Sequence, residues 1–379
     1  MDAATLIFWI AVFGIFWAYF GYWLMLKLIS LVYTKKVLKE DIHPQISLII
    51  TAYNEERRIR EKIENTLSMD YPKDRLEIIV VSDASTDRTD EIVRSFADRG
   101  IQLLRIPERH GKHYGQGRGI RMAKSDIVVL TDATTFLEKD GVSKIIRNFA
   151  DPAIGCVSSE DRMRTADSNA SGEGMYVTYE MTLRSLESKV GSLVGVSGSF
   201  YAVRKHLCEH WIDNMSSDFY MPSVSKINGY RTVLESEALG YYDVVRDPEK
   251  EFIRKVRTVV HGYEVLFRFA RVLNPFRYGF YAVQMFSHKL CRWLVPLFMV
   301  VAFVSNIFLL NHGVIYQISF VAQALVYLLA ILAFAAHRLQ DIVMFKVPFF
   351  FVMVNLSILV AWYKYLTGQE YVVWDATKR

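Results

Sequence analysis

Cysteine is scarce in this sequence, and its three copies, Cys156, Cys208 and Cys291, are widely spaced. An odd number at such spacings forms neither a disulfide framework nor a zinc pattern, which fits a reducing compartment. We therefore interpret the cysteines as small buried side chains. The sequence also lacks arginine-rich tracts and aromatic RNA-binding signatures, so its net charge of +5 predicts no nucleic-acid partner.

Long apolar runs lie at both ends of the chain. Residues 6–26 carry no charge and have the length of a bilayer-spanning helix. This run has no basic leader or small-residue cleavage site, so we expect a retained anchor rather than a removable signal peptide. Three more runs, at 293–310, 314–336 and about 345–363, predict a multi-pass protein in contact with membrane lipids.

Basic residues beside the first run predict its orientation. Only Asp2 and the amino terminus precede this run, and four lysines follow it: Lys27, Lys35, Lys36 and Lys39. The positive-inside rule then places the central region in the cytoplasm, at the inner membrane. The side of the C-terminal tail stays open, because three spans place it outside whereas the tail and the 337–346 loop are mildly basic.

The polar middle of the chain alternates short apolar runs with amphipathic stretches. Buried, β-branched strands are predicted in the runs ISLIITA, LEIIVVS, IQLLRI and DIVVLT. Four such strand-and-helix alternations predict a doubly wound parallel sheet. Further along, VSGSFYAV and RTVLESEALGYY predict strands, and DFYMPSVSKIN predicts a helix.

Four polar residues follow these elements at strand ends or helix starts: Asp83, Asp132, Asp218 and Arg254. Ligands of open α/β sheets bind outside the carboxyl ends of the strands, so we expect one shared crevice. Asp83 can bind a nucleotide, Asp132 a hard cation, and Asp218 can take a proton from a hydroxyl. The guanidinium group of Arg254 suits phosphate. Each also has an ordinary alternative, a helix cap or turn for the acids and a basic membrane-surface stripe for Arg254.

A glycine-rich stretch, Gly111–Gly119, follows the third predicted strand. A dinucleotide-binding fingerprint belongs in the first strand-to-helix turn, so this position argues against one. We interpret the stretch as a basic loop. Its residues Arg109, Lys112 and Arg118 are either phosphate contacts or solvated charges.

Six ordered segments carry a family resemblance: SLIITAYNEE, VVSDASTDRT, LTDATT, VSGSFYAVRK, SSDFYMP and EFIRKVRT. In this order they resemble the membrane-anchored family-2 glycosyltransferases, which include cellulose, hyaluronan and poly-N-acetylglucosamine synthases. SHKLCRWLVP and the terminal VVWDATKR are similar to family members as well. The resemblance covers residues 45–379 and implies a GT-A, Rossmann-like α/β fold.

The resemblance implies inverting transfer from a nucleotide-diphosphate sugar, with UDP as the expected nucleotide. It implies that Asp132 holds Mg²⁺ or Mn²⁺, that Asp218 is the general base, and that Arg254 stabilises the leaving diphosphate. It also implies two binding regions, the nucleotide region being Ala52, Tyr53, Glu55, Asp83 and Lys112. The acceptor or diphosphate region is Gly198, Ser199, Glu251, Lys255 and Arg257.

Two departures from the family pattern affect these roles. Thr134 stands where the family has a second acid, which weakens the expected metal site. Glu251-Phe-Ile-Arg254-Lys255 replaces QxxRW, so the tryptophan on which processive synthases stack the acceptor sugar is missing. Lys255 would instead favour a phosphate-bearing or anionic acceptor.

We therefore expect an anchor at 1–33, a catalytic domain at 45–248, amphipathic interfacial helices at 249–292 and a transmembrane region at 293–379. The predicted acceptor is a lipid-linked or growing saccharide. A processive synthase that exports its polymer, and a non-catalytic scaffold of a polysaccharide assembly, stay open as alternatives. The oligomeric state also stays open.

Overall fold

The computed structural model describes residues 2–163, 172–242 and 248–369. The terminal segment VVWDATKR, which is the C-terminal tail, lies outside these residues.

A sheet of eight strands forms the centre of the protein, in the order β3-β2-β1-β4-β7-β6-β8-β5. The four strands predicted for the parallel sheet are β1 Ile46–Ala52, β2 Leu76–Asp83, β3 Ile101–Ile106 and β4 Ile127–Asp132. They pair in parallel, which confirms the doubly wound half. The other four are β5 Phe136–Leu137, β6 Ile154–Met163, β7 Phe200–Arg204 and β8 Arg231–Tyr242.

The complete sheet is mixed rather than parallel throughout. β7 runs antiparallel to both β4 and β6, and β5 runs antiparallel to β8. Only an antiparallel neighbour places the start of β7 beside the carboxyl end of β4, where Thr131 pairs with Phe200. The turn that precedes β7 is therefore brought to the edge where the predicted ligand crevice lies.

Helices cover both faces of the sheet because successive strand residues point to opposite sides. Leu48 and Ile50 of β1 pack in one hydrophobic layer, and Ile49 packs in the other. The helices of this domain are α2 Ile59–Leu67, α3 Thr89–Arg94, α4 Lys112–Met122, α5 Gly141–Ile146, α6 Gly172–Val190 and α7 Ser217–Ile227.

Helix α4 corrects the prediction of a glycine-rich loop. Gly115, Gly117 and Gly119 are buried in this helix rather than exposed in a loop. A Cβ atom at Gly119 would lie 2.6 Å from Ile49 Cγ2, and one at Gly117 would lie 2.5 Å from Asp213 Oδ1. The glycines therefore let a helix approach the sheet and the neighbouring chain closely.

Four helices are long and apolar enough to cross a membrane, one near the N-terminus and three toward the C-terminus. They are α1 Ala3–Val32, α9 Phe280–Leu309, α10 Val314–Ala335 and α11 Val343–Leu366. The expected number of apolar segments is thus confirmed by length and composition. The three cysteines are free and buried, as predicted.

An amphipathic helix, α8 Pro248–Arg268, and a helical turn at Pro275–Tyr278 connect the sheet domain to α9. The ring of Tyr263 in α8 stacks on Trp362 of α11, with ring centroids 4.2 Å apart, and packs edge-on against Trp293 of α9. Helix α11 therefore packs along α8. This packing holds in place the α8 residues that line the crevice described below.

Candidate active site

Two adjacent cavities lie at the carboxyl ends of β1, β2 and β4. The first, of about 350 Å³, is the nucleotide-side cavity. Its lining contains every residue that the resemblance assigned to the nucleotide, and also Asp132: Ala52, Tyr53, Glu55, Asp83, Lys112 and Asp132. The structure therefore brings together side chains from four separate sequence segments, as the strand-end argument predicted.

Asp83 is buried at the end of β2 and does not cap a helix. Its Oδ1 accepts a hydrogen bond from the His110 backbone N–H at 3.0 Å, and its Oδ2 accepts one from Gly111 N–H at 2.7 Å. These bonds hold the start of α4 against β2. Asp87, which precedes α3, accepts a hydrogen bond from Thr89 N–H at 3.0 Å through its Oδ1.

Lys112 and Asp132 form the wall between the two cavities. Lys112 Nζ lies 2.6 Å from Asp132 Oδ1 and donates to the Gly198 carbonyl at 2.7 Å. Both residues, together with Thr134, line both cavities. A cation on α4 thus connects the strand-end acid to the turn before β7, where the two cavities meet.

The second cavity, the acceptor-side cavity, has a volume of about 310 Å³. Five residues predicted for catalysis or for the acceptor region line it: Gly198, Ser199, Asp218, Arg254 and Arg257. Asp218 Oδ1 accepts a hydrogen bond from Ser216 Oγ at 2.8 Å. A Cβ atom at Gly198 would lie only 3.2 Å from Asp218 Oδ2, so glycine leaves this carboxylate room beside the turn.

Glu251 and Lys255 are not part of this lining, unlike Arg254 and Arg257 from the same helix. Glu251 accepts two hydrogen bonds from Arg254, from Nε at 2.7 Å and from Nη2 at 2.9 Å, and pairs with Lys255 at 2.9 Å. Lys255 Nζ also lies 4.4 Å from the centre of the Phe350 ring on α11. Glu251 therefore orients Arg254, while Lys255 points to the membrane helix.

Asp161 in β6 is a partly buried acid of the acceptor-side cavity that the sequence reasoning missed. It accepts hydrogen bonds from Ser197 Oγ at 2.5 Å and Ser199 Oγ at 2.9 Å. Burial raises the pKa of the Asp161 carboxyl, against the opposing charge of Arg184. Asp161 thus fixes the turn whose carbonyl binds Lys112, and it has no strand-end signal that could have revealed it.

Two further basic residues lie beside the site, the partly buried His113 and the fully buried Lys62. Burial lowers the pKa of His113 to about 4, although the charge of Asp218 acts in the opposite direction. Lys62 Nζ donates to Thr131 Oγ1 at 3.1 Å and to the Thr135 carbonyl at 2.5 Å. Burial lowers the pKa of Lys62 to about 7, while the charge of Asp132 opposes this change. His113 lies on α4 and Lys62 lies on α2.

A metal ion at the wall would be held by Asp132. Among residues 2–163, 172–242 and 248–369, no three histidine, cysteine, aspartate or glutamate side chains form a metal-binding group. Asp132 is nevertheless placed in the cavity wall next to the Thr134 hydroxyl. One or two carboxylates with substrate phosphates and water suffice for Mg²⁺, so this donor set fits a cation that arrives with a diphosphate.

The domain that carries the strand-end site resembles a known protein family. Residues 47–210, less than half of the chain, match the model of the family Glycosyl transferase family 2. The GT-A fold is confirmed by a mannosyltransferase from Pyrobaculum calidifontis in complex with GDP-Man and Mn²⁺. That structure superimposes with a TM-score of 0.74 at 23% identity and covers 97% of this chain and 100% of its own.

Curated relatives include two poly-beta-1,6-N-acetyl-D-glucosamine synthases. The one from Staphylococcus aureus (strain COL) is 26% identical over 249 residues, which are 63% of this chain and 60% of that protein. The one from Staphylococcus epidermidis is 25% identical over 248 residues, again 60% of its length. The chain thus spans 60% of the length of these relatives.

Proposed function

We propose that this protein transfers a sugar, with inversion, from a UDP-sugar to the hydroxyl of a lipid-linked or growing saccharide. One observation carries the proposal: the cavity that contains the predicted nucleotide residues and the cavity that contains Asp218 share the Lys112–Asp132 wall. A donor whose nucleotide lies in the first cavity would place its sugar at this wall. The acceptor would then approach from the second cavity.

Each side chain has a role that follows from its position. One carboxylate oxygen of Asp218 is held by Ser216. Asp218 takes the proton of the acceptor hydroxyl while the acceptor oxygen attacks the anomeric carbon. The bond from that carbon to the diphosphate breaks at the same time, and the electron pair leaves with the diphosphate. Arg254, oriented by Glu251, and Lys112 stabilise its charge.

Divalent metal belongs to the same proposal. Asp132 would be the protein ligand and Thr134 a neighbouring oxygen for Mg²⁺ or Mn²⁺, and the bound ion would neutralise charge on the diphosphate. Because Lys112 already pairs with Asp132 at 2.6 Å, the lysine must share or exchange this carboxylate when a cation binds. The single carboxylate predicts weaker metal binding than an acidic pair would give.

The membrane helices support an acceptor at the membrane surface. Helix α8 contributes Arg254 and Arg257 to the acceptor-side cavity and packs against α9 and α11 through Tyr263. The opening used by the acceptor would therefore lie close to lipid. The positive-inside rule places this surface in the cytoplasm, at the inner membrane.

Purified full-length protein, a panel of UDP-sugars and GDP-mannose, and Mg²⁺ or Mn²⁺ test the proposal through nucleotide diphosphate release. We expect one UDP-sugar to be consumed and Asp218→Asn to lower the rate by about 10²- to 10⁴-fold. Asp140→Asn, which removes an exposed acid paired with Lys144, should leave the rate unchanged. Release from none of the donors, or an unimpaired Asp218→Asn enzyme, would refute the assignment.

Processive synthesis is the second candidate, because the curated relatives are named as polymer synthases. Product length separates the two candidates. A short acceptor extended by one sugar supports single addition, whereas a ladder of long products formed at limiting enzyme supports a synthase.

A further inference from the structure

A third cavity, of about 370 Å³, lies away from the two cavities of the site. We call it the interfacial cavity, because it is formed where the end of α1 and the beginning of α9 meet the sheet domain. Its lining includes Tyr33 after α1, Tyr278 before α9, and Arg231 at the start of β8. It shares no residue with the nucleotide-side or acceptor-side cavity.

The interfacial cavity is positively charged. Among the described residues that line it, three are cations, Lys35, Lys226 and Arg231, and none is a carboxylate. Arg231 is 6% exposed, and within the described residues its guanidinium donates to backbone carbonyls, including Gly191 at 3.0 Å and Lys35 at 3.1 Å. Asp151, whose charge acts on Arg231, does not line the cavity. The wall therefore carries positive charge that no acid in the lining compensates.

Burial lowers the pKa of Lys226, and the charges of Lys35 and Arg231 lower it further. An anion between these groups would remove this mutual repulsion. The three cations come from different elements, the segment after α1, helix α7 and strand β8. They converge on one concave space, which distinguishes them from scattered surface charges.

Tyr278 supplies an independent sign of a ligand. Its side chain is 6% exposed, and its hydroxyl is buried without a hydrogen-bond partner in the described part of the chain. A buried polar group without a partner costs about 1–3 kcal/mol and is uncommon in folded proteins. Tyr278 is one of the residues that line the interfacial cavity, so a hydrogen-bond acceptor bound there is a candidate partner for this hydroxyl.

The surroundings of the cavity favour a lipid as the source of this acceptor. The last turns of α1 expose Leu31 at 75% and Val32 at 87%, and Phe276, two residues before Tyr278, is fully exposed. These side chains offer an apolar surface beside a cationic pocket. Basic pockets between membrane helices bind anionic lipid headgroups.

We propose that the interfacial cavity binds the phosphate of an anionic phospholipid headgroup, with Lys226, Arg231 and the Tyr278 hydroxyl around the phosphate and the acyl chains along the end of α1. A phosphodiester oxygen accepts hydrogen bonds from Tyr278 and pairs with the lysine. The inference does not depend on the identity of the donor or acceptor sugar.

The test uses the full-length protein in detergent and three probes: short-chain phosphatidylglycerol, short-chain phosphatidylcholine and inorganic phosphate. Native mass spectrometry gives the affinity and stoichiometry, and thermal unfolding gives the stabilisation by each probe. We expect one phosphatidylglycerol per chain to bind tightly and to raise Tm. If phosphatidylcholine or free phosphate does the same at equal concentration, the lipid-headgroup assignment is overturned.

Two variants and a control locate the binding. Lys226→Gln should weaken phosphatidylglycerol binding about fivefold, and Tyr278→Phe about tenfold, whereas Arg338→Gln in the distant loop before α11 should not change it. Without lipid, Tyr278→Phe should keep or raise Tm, because it removes an unpaired buried hydroxyl. Unchanged lipid affinity in both variants would overturn the proposal, and so would an equal loss in the control.

Discussion

Lys62 provides a quantitative test of how strongly burial lowers a lysine pKa in the protein interior beside the end of β4. The side chain is fully buried on α2, and its Nζ donates to Thr131 and to the Thr135 carbonyl. Burial lowers its pKa from the ordinary value of 10.5 to about 7, with the charge of Asp132 acting in the opposite direction. One pKa unit corresponds to about 1.4 kcal/mol, so the full change corresponds to about 5 kcal/mol of unfolding free energy.

The sign follows from proton uptake. Between pH 7 and 10.5 the unfolded chain binds a proton at Lys62 that the folded protein does not bind, so the stability of the wild type rises with pH. The slope approaches about 1.4 kcal/mol per pH unit inside this window and vanishes above and below it. Below pH 7 both states are protonated and the full cost is present.

Lys62→Met removes the titrating group but keeps a long side chain. Two hydrogen bonds are lost at every pH, at a cost of about 1–3 kcal/mol for polar groups left without partners. The informative quantity is therefore the difference between wild type and variant as a function of pH. We expect this difference to shift in favour of the wild type by about 2–3 kcal/mol between pH 7.5 and 9.5.

Denaturant unfolding of the full-length protein in detergent, with a chelator present so that no cation binds Asp132, measures this difference. Lys124→Met removes an exposed lysine and controls for the loss of one charge. If Lys62→Met and wild type show the same pH dependence, Lys62 is charged in the folded state throughout, and the argument from burial is wrong.

Three further predictions concern the metal site, the close packing of α4 and a buried ion pair. Thr134→Asp adds a second carboxylate to the wall and should tighten Mn²⁺ activation by about tenfold or more. The measured quantity is the Mn²⁺ concentration at half-maximal nucleotide release, and Thr134→Ser should leave it unchanged. Gly119→Ala should lower the unfolding free energy by about 1–3 kcal/mol in denaturant titrations, because its Cβ would lie 2.6 Å from Ile49 Cγ2. Arg147→Met should cost about 3 kcal/mol in the same measurement, because it takes two hydrogen bonds from the fully buried Glu235 carboxylate. An unchanged midpoint in either variant would contradict the packing or the pairing on which its prediction depends.

The parallel half of the sheet could be predicted because its strands are continuous apolar runs. Such runs occur where both faces of a strand are covered by helices. The strand ends then place Asp83 and Asp132 at one edge of the sheet without any knowledge of the remaining fold. The separate roles of Asp218 and Arg254 at this edge could be assigned only through the family resemblance, since their own segments allow an ordinary cap and a surface stripe.

Strands β7 and β8 could be predicted from their sequences, but their pairing in the sheet could not. The antiparallel position of β7 depends on long-range pairing with β4 and β6, which has no local signature in the sequence. The stretch 111–119 was predicted to be a loop, but residues 112–122 form helix α4, in which close packing against Ile49 compensates for the low helix propensity of glycine. Asp161 was missed because it lies inside a strand and is defined only by its contacts with Ser197 and Ser199.

A buried polar network links the acceptor-side cavity to the membrane helices. Asp161 lies 4.0 Å from Arg184, whose Nε donates to Glu180 at 3.2 Å. Both ring nitrogens of His288 on α9 face carboxylates, Glu180 at 3.1 Å and Glu187 at 2.9 Å. Glu187 also accepts from Tyr22 of α1 at 2.6 Å.

This network crosses the domain limits that hydropathy suggests. Buried carboxylates are costly unless they are paired, so Glu180 and Glu187 need partners from α1 and α9 as much as from their own helix. Burial would raise the pKa of Glu180, yet the charges and hydrogen bonds of His288 and two arginines hold it well below its usual range. The acceptor-side cavity and the first two candidate spans therefore share one buried interior. The turn that binds Lys112 is fixed through Asp161 at one end of this interior, so these two candidate spans also help to set the geometry of the site.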